Sequence, residues 1–597
     1  MQNKLLVPAL LILLILASHS SYSQDSNDPR WNVDPRTVVN LSGDYKPLPI
    51  EETDIRQFTT EPQRTITPMG VMVTFPNIRV NPSNNFSQSE VVIVSNPVNR
   101  NILFGSSNAY TFSSGTINSG VYRSFDGGLT WTGVETFGAG SANNQRGDPG
   151  PTISKFGTWL FTHLTSATNF GGLTGMGANR SIDNGATWTN TFQVVNDVNA
   201  DKNLTGTDDY PTSPFYGNSY FAYTSFGTNP ANGRASRTIN DGVSWSVPII
   251  INATPAGHNA QGHDVATGPG GEVYIVWSAG VNFSPFTEDF MGVAKSVNGG
   301  VSYTATENAF NVNGSRSGSF NGWGIRTNGF PRIAVDKTGG ARNGWIYVVS
   351  SEINNAPAGT DADVVFHRSI NGGATWSGGI RVNQDALNNG KVQFFPAICV
   401  DADGGIDVVY YDNRQFPSVG DSCGVYISRS LDGGITWADV KISDHNFKPK
   451  QMSPFGGGYM GDYIGITASV GKVVALWMDD KANTVAIANA WAGALDITTV
   501  LPTICQDFSG AAFPPPDFTL EFTGTQEWTR ETPSAYAAGS GSAKFDYWNA
   551  AAGVTQSLVT QTFAATAANT YLTYDRAYSP FFSNTDSLII ETSVNGG

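Results

Sequence analysis

The chain has 597 residues, too many for one ordinary hydrophobic core, so several domains, or one large repeat domain with an appendage, are expected. Its 66 Gly, 31 Pro, 12% aromatic and only 14% charged residues describe short strands joined by turns, with little material for amphipathic helices, and the expected class is all-β. A net charge of −15 with no Lys/Arg-rich block repels phosphate backbones and argues against nucleic acid as a partner.

The chain opens with Lys4, an apolar run from Leu5 to Ala17, and a polar stretch ending in Ser21 and Ser23. This pattern predicts a signal peptide over residues 1–23, followed by a linker over 24–67. The run is shorter than the roughly 20 apolar residues that span a bilayer, and none follows, so no transmembrane segment is expected and the protein is expected to be secreted or at the cell surface. Three cysteines are a sparse set. Cys399 and Cys423 are expected on the first and third strands of one repeat, with a strand between them, too far apart to bond. The six His show no metal-ligand spacing, and no cofactor is implied by any motif.

From residue 124 the phrase Ser-x-Asp-x-Gly-x-Thr-Trp recurs six times. Full copies carry Ser124, Asp126, Gly128 and Trp131; Ser181, Asp183, Gly185 and Trp188; and Ser430, Asp432, Gly434 and Trp437. A copy with Asn for Asp carries Ser369, Asn371, Gly373 and Trp376, and looser copies span Thr238–Trp245 and Ser296–Tyr303. Asp or Asn and Ser/Thr can bond nearby backbone, Gly supplies a positive φ, and the aromatic packs inward, so the phrase is a turn staple. It resembles the Asp-box, or BNR repeat, of sialidase-like β-propellers, and the resemblance implies a hairpin between the third and fourth strands of a blade.

Strand-like alternation flanks every phrase, as in 331–336, 344–351, 363–369 and 379–383 around the fifth. A seventh unit without the phrase supplies three strands, over 462–469, 472–479 and 484–490. Its fourth is expected from the N-terminal segment 77–82, which would close the ring and remove both edges. A β-propeller over 68–497 is therefore expected, with seven blades, or six if the last unit packs outside. Residues 503–597 resemble a truncated jelly-roll module of the cleaved-adhesin or MAM-like kind, a C-terminal β-sandwich.

The phrase hairpins define one face of such a ring. The opposite face is expected to carry the longer loops, including Asn196–Asp209, Asn252–Asp264, Asn311–Phe330 and Asp444–Gly461, and so the functional site. Glu90, Asp148, Asp209, His263, Asp264, Arg332 and Asp462 are expected where innermost strands begin, and Trp277, Tyr411, Asp412, Arg414, Trp477 and Asp479 where second strands end. Carboxylates, arginines and rings around a pocket suit a sugar: acid/base groups for the glycosidic bond, planar donors for anions, and stacking surfaces. The candidate catalytic residues are Asp264, Arg332, Asp412 and Arg414; the candidate substrate-binding residues are Arg146, Asp209, His263, Trp277, Arg326, Tyr411 and Trp477. Calcium would also suit the carboxylates.

The sialidase resemblance further implies three arginines on a substrate carboxylate, a Tyr nucleophile paired with Glu, an Asp acid/base and an Arg-Ile-Pro motif. Arg-Ile-Pro is absent; Pro331-Arg332-Ile333 holds those residue types in another order, and no Tyr–Glu pair is legible. The sequence supports recognition of an extracellular carbohydrate or glycoprotein, with hydrolysis of the sialidase type as one form. A non-catalytic adhesion protein or protein-binding scaffold is the alternative, and the oligomeric state is open.

Overall fold

The computed structural model of the protein describes residues 61–498, apart from 68, 82–84, 112–115, 137–144, 168–171, 285, 317–321, 417–421, 453–454 and 481–487, together with parts of 508–560. The signal-peptide segment and most of the expected linker lie outside the described residues. Residues 1–499 and 500–597 form two compact units. Among the described residues there is no helix, so none long and apolar enough to cross a membrane.

In the first unit, six antiparallel four-stranded sheets follow one another along the chain, covering residues 86–134, 150–195, 200–250, 258–311, 332–381 and 393–441, and are numbered here blades I to VI. Blade VII takes its strands Gly465–Ala468, Lys472–Asp479 and Asn489–Asp496 from the end of the unit. Its outer strand comes from the N-terminal segment: Ile78 pairs Ala492 and Arg79 pairs Trp491, while further on Val73 pairs Asp496. Gly70–Thr74 is in turn paired by Gln63–Thr67, so the end of the expected linker belongs to the propeller. The innermost strands pack side by side in a closed circle, Phe86–Ser95 against both Gly150–Ile153 and Gly465–Ala468. This is a seven-bladed β-propeller. Asn77 clips the closing segment in place, exchanging hydrogen bonds of 2.8 and 2.7 Å with Asp444 after blade VI.

Each eight-residue phrase forms the hairpin between third and fourth strands. Its first hydroxyl accepts the fifth-position N–H at 2.9 Å in all six copies. Its Asp or Asn accepts the seventh-position N–H at 2.8–3.1 Å. The fifth position must be glycine where the hairpin leans on the preceding blade: Gly434 has φ +86°, and a Cβ there would lie 2.3 Å from the Phe366 ring of blade V.

A further regularity lies one residue earlier. Arg180, Arg237, Lys295 and Arg368 each precede a phrase and reach the fourth-position carbonyl of the next blade's hairpin, at 3.0, 2.6, 3.1 and 2.6 Å. Arg429 of blade VI, which faces the blade without a phrase, turns back onto Asp407 at 2.6 Å and onto Asp401. The hairpins thus tie blade to blade as well as strand to strand.

Cys399, in the first strand of blade VI, and Cys423, just before its third, are both unbonded. In the second unit the described residues form two strand pairs, Phe518–Phe522 with Gln556–Thr560 and Thr529–Glu531 with Ser542–Lys544. These two pairs do not by themselves make the expected sandwich, and most of the segment expected to form it lies outside the described residues.

Candidate functional site

Innermost strands end on the hairpin face and begin on the opposite one, so the residues that open them meet around the ring axis there. Several of these strands are kinked where they start. The ladder of blade I slips between Ser89 and Val92, that of blade III between Asp201 and Asn203, and that of blade IV between Gln261 and Asp264. Such bulges re-aim side chains. Glu90, Asp148 and Lys202, at the start of blades I, II and III, have φ of +54°, +53° and +38°, a region that non-glycine residues rarely enter.

The residues so turned form a polar ring. The Tyr459 hydroxyl donates to Glu90 Oε1 at 2.9 Å, and Asn108 Nδ2 donates to Glu90 Oε2 at 3.0 Å. Asn108 Oδ1 accepts the Asp148 N–H at 2.6 Å, and Asp148 Oδ2 accepts the Lys202 N–H at 2.9 Å. Beside Tyr459, whose ring lies 5.5 Å from its guanidinium, Arg326 Nη2 donates to Asp462 Oδ2 at 2.5 Å, and Asn328 Nδ2 donates to the Asp462 carbonyl at 3.0 Å. Arg332 Nε donates to Asp264 Oδ2 at 2.9 Å, Gln261 Nε2 reaches Asp201 at 3.4 Å, and Arg316 lies 3.9 Å from Glu288. Val92, Leu204 and Tyr463 pack together as an apolar cluster contributed by the inner strands of blades I and III and the start of blade VII. The Lys202 ammonium lies 4.9 Å from the Tyr463 ring and 5.7 Å from that of Phe330.

Crowding these groups out of water favours their neutral forms. Burial, followed by repulsion from Asp148 and Asp462, pushes the Asp201 carboxyl up to about 8. Burial also raises Asp148, to about 6, while the Lys202 N–H and ammonium partly oppose it. Glu90 is raised well above the carboxylate range by burial and the same neighbours, and burial with the nearby Arg332 lowers Lys202 to about 8. The side chains of Asp264, Arg316, Arg326, Arg332 and Asp462 stay 8–14% exposed.

Of the residues expected from the sequence, the structure brings Asp264, Arg332 and Arg326 into this ring, beside Glu90, Asp148 and Asp462. Arg146 sits just ahead of Asp148, half-buried, and its Nη1 has no hydrogen-bond partner among the described residues. The other expected residues lie elsewhere. Asp412 and Arg414 belong to a buried network at the outer part of blade VI: Arg414 bonds Asp412 at 2.7 Å and Asp439 at 2.5 Å and lies over the Tyr426 ring. Burial raises Asp412 to about 6, and its side chain is inaccessible. Asp209 follows the inner strand Ala200–Thr207 instead of preceding it, which puts it on the hairpin face, paired with Lys337.

Trp277, Tyr411 and Trp477 are fully buried. Trp277 stacks on His263, the Tyr411 hydroxyl donates to the Met478 carbonyl at 2.7 Å, and Trp477 Nε1 donates to Asp479 at 2.8 Å. His263 faces blade III, 3.1 Å from Thr224 Oγ1, and burial lowers it to about 3. The long links expected before blades III and IV shrink to residues 196–199 and 251–257, because polar stretches read as loops are inner strands.

Asp201, Lys202, Arg316 and Tyr459 are ring residues that sequence reasoning missed. The segment 200–207 lacks apolar alternation because its side chains bond the first two strands of blade II: Asn203 Nδ2 donates to Thr162 at 2.7 Å, and Thr205 Oγ1 to the Gly150 carbonyl at 3.0 Å. No local signal marks them: Asp201, Lys202 and Arg316 follow Ala200, Asp201 and Ser315 in polar stretches without strand-like alternation. Among the described residues no group of three or more His, Cys, Asp or Glu is arranged to hold a metal ion.

No protein-family model and no curated protein matches the chain. Solved structures do. A protein of unknown function from Dyadobacter fermentans aligns with 71% of this chain and 99% of its own, at 10% identity and a TM-score of 0.40. A polysaccharide lyase, an ulvan lyase bound to a GlcA–Rha3S oligosaccharide, aligns over 68% and 94% at 11% identity and a TM-score of 0.42. The α-L-arabinofuranosidase of Fusarium graminearum aligns over 63% and 98% at 14% identity and a TM-score of 0.38. At such distances nothing of those proteins' chemistry transfers to this chain.

Proposed function

We propose that the ring of polar residues opposite the hairpin face binds an extracellular carbohydrate and that Asp201 and Asp148 act on its glycosidic bond. The observation that carries this is geometric: strained inner-strand starts bring Glu90, Asp148 and Asp201 together at one mouth, where burial and mutual repulsion push their carboxyls toward the protonated form. Asp201 would donate a proton to the leaving oxygen, and Asp148 would serve as the ionised partner that activates water or steadies positive charge on the sugar. The ring supplies fixed donors from Arg326, Arg332 and Asn328 and acceptors from Asp264 and Asp462, a balance that suits a polyhydroxylated ligand. Non-glycine residues held at positive φ in blades I to III are a cost that structures bear mainly where a side chain must be aimed.

Cleavage of sialosides is the more specific form of this proposal. It is supported by the Tyr459 hydroxyl 2.9 Å from Glu90, with Arg316 and Arg326 on the same rim, the residue types that the sialidase resemblance implies. The residues before Gln24 support export, which places the protein where such ligands occur.

The experiment is product release from sialosides, neutral glycans and uronic-acid polysaccharides by the full chain, beside glycan-array binding with and without calcium. Turnover that falls at least tenfold in Asp201→Asn and in Arg326→Met is expected. Binding without turnover would remove the acid–base role and leave a lectin. Neither binding nor turnover on any glycan would sink the proposal.

A further inference from the structure

The eight-residue phrases contain a regularity that the hairpin itself does not use. Their second positions are Phe125, Ile182, Ile239, Val297, Ile370 and Leu431, all apolar, and the structure leaves them 47–74% exposed at the hairpin tips. Sixth positions add Val243, Val301 and Ile435, each more than half exposed. Turn tips favour polar residues, and one exposed aliphatic side chain needs no explanation; the same exposure at one position of every repeat does. Ring geometry sets these side chains out as a crown of apolar knobs on one face.

We infer that this crown is an interface between two copies of the chain, packed face to face. The knobs expose on the order of 1,000 Å² of apolar side chain, against the ~800 Å² that each partner contributes to a standard interface. Charge is largely engaged within the face. Asp126, Asp183 and Asp432 are bonded inside their own turns, and Arg180, Arg237 and Arg368 are bonded to the next hairpin, as the core of an interface requires. The knobs occupy six of the seven blade steps, blade VII carrying none, and an arc of evenly stepped knobs can set those of one copy into the gaps of the other about a twofold axis. The aliphatic character of five of the six tips gives little stacking surface for a sugar polymer, and a net charge of −15 opposes docking on an anionic bilayer. In such a dimer the two polar mouths point outward at opposite ends; if they bind glycans, a consequence that rests on the proposed function, the dimer is bivalent.

Sedimentation velocity of the full chain over a concentration series, with Ile182→Lys/Ile370→Lys and Phe283→Lys beside the natural sequence, tests this. Phe283 is 64% exposed in the loop between second and third strands of blade IV, on the other face. A dimer is expected for the natural sequence and for Phe283→Lys. The crown variant should be a monomer with an unchanged circular dichroism spectrum, and a melting midpoint that, unlike the natural protein's, does not rise with concentration. A monomeric natural protein at its highest soluble concentration overturns the inference, as does a dimer that survives both lysines. Cosedimentation of a monomeric natural protein with phosphatidylcholine vesicles would likewise overturn it and reassign the crown to a lipid surface.

Discussion

Two hairpin glycines with nearly the same backbone angle separate the turn's demand for glycine from the neighbouring blade's. Gly434 has φ +86° and Gly373 has φ +85°, so alanine at either position incurs the left-handed penalty of about 1–2 kcal/mol. Their surroundings differ. At Gly373 a Cβ would meet nothing closer than 3.8 Å, whereas at Gly434 it would fall 2.3 and 2.5 Å from two ring carbons of Phe366. Phe366 is fully buried, 5.3 Å from Trp437 and 5.5 Å from Tyr347 between ring centroids, so it cannot swing aside without disturbing the seam between blades V and VI. Overpacking of that kind adds about 1–3 kcal/mol. Gly373→Ala should therefore lose about 1–2 kcal/mol and Gly434→Ala about 2–5 kcal/mol, read as shifts in urea denaturation followed by tryptophan fluorescence. Equal losses in the two variants would refute the argument that the fifth position is held to glycine by the adjoining blade.

Asp432→Ala should cost about 1 kcal/mol at pH 7 through its lost turn bonds, with glycan binding at the other face unchanged. Partial burial opposes ionisation of Asp432, but bonds from the Thr436 side chain and backbone outweigh it and hold the group down to about 2. Its contribution is thus present above the ordinary Asp value near 4 and lost as pH falls through 2, so the natural protein and the variant should converge in acid melts. Deleting residues 61–80 removes the outer strand of blade VII and bares the edge of Asn489–Asp496; loss of the cooperative transition and aggregation in light scattering are expected, and an unchanged melt would show that the ring closes without it.

The fold was legible because its signals are local. Six phrases at a near-constant step fix the hairpins, and 77–82 resembles the strand after the fifth phrase closely enough to place the closing segment, which the pairing of Ile78 with Ala492 bears out. The second sequence signal, a basic residue before each phrase, was in plain view but acquires meaning only when Arg237 is seen on the next hairpin's carbonyl. The site was less legible because exposure at strand ends is not a local property. Trp277 lies mid-strand in Val273–Val281 and Asp412 closes Ile406–Asp412, yet both point into blades, where His263 stacks on one and Arg414 clasps the other. Asp201 lay hidden in a segment whose polarity reflects bonds to neighbouring strands and was read as solvation.

The seam between first and last blades sets an order of events as well as a shape. Glu90 belongs to the first blade and Tyr459 to the approach to the last, and Arg326 waits for Asp462 across 136 positions of sequence. No emerging chain can assemble that mouth until roughly four hundred residues after Glu90 have been synthesised, and contacts so distant along the chain form late. A chain stalled before blade VII would carry all six phrase hairpins but not the complete polar ring, so competence at the mouth doubles as proof that the circle has closed.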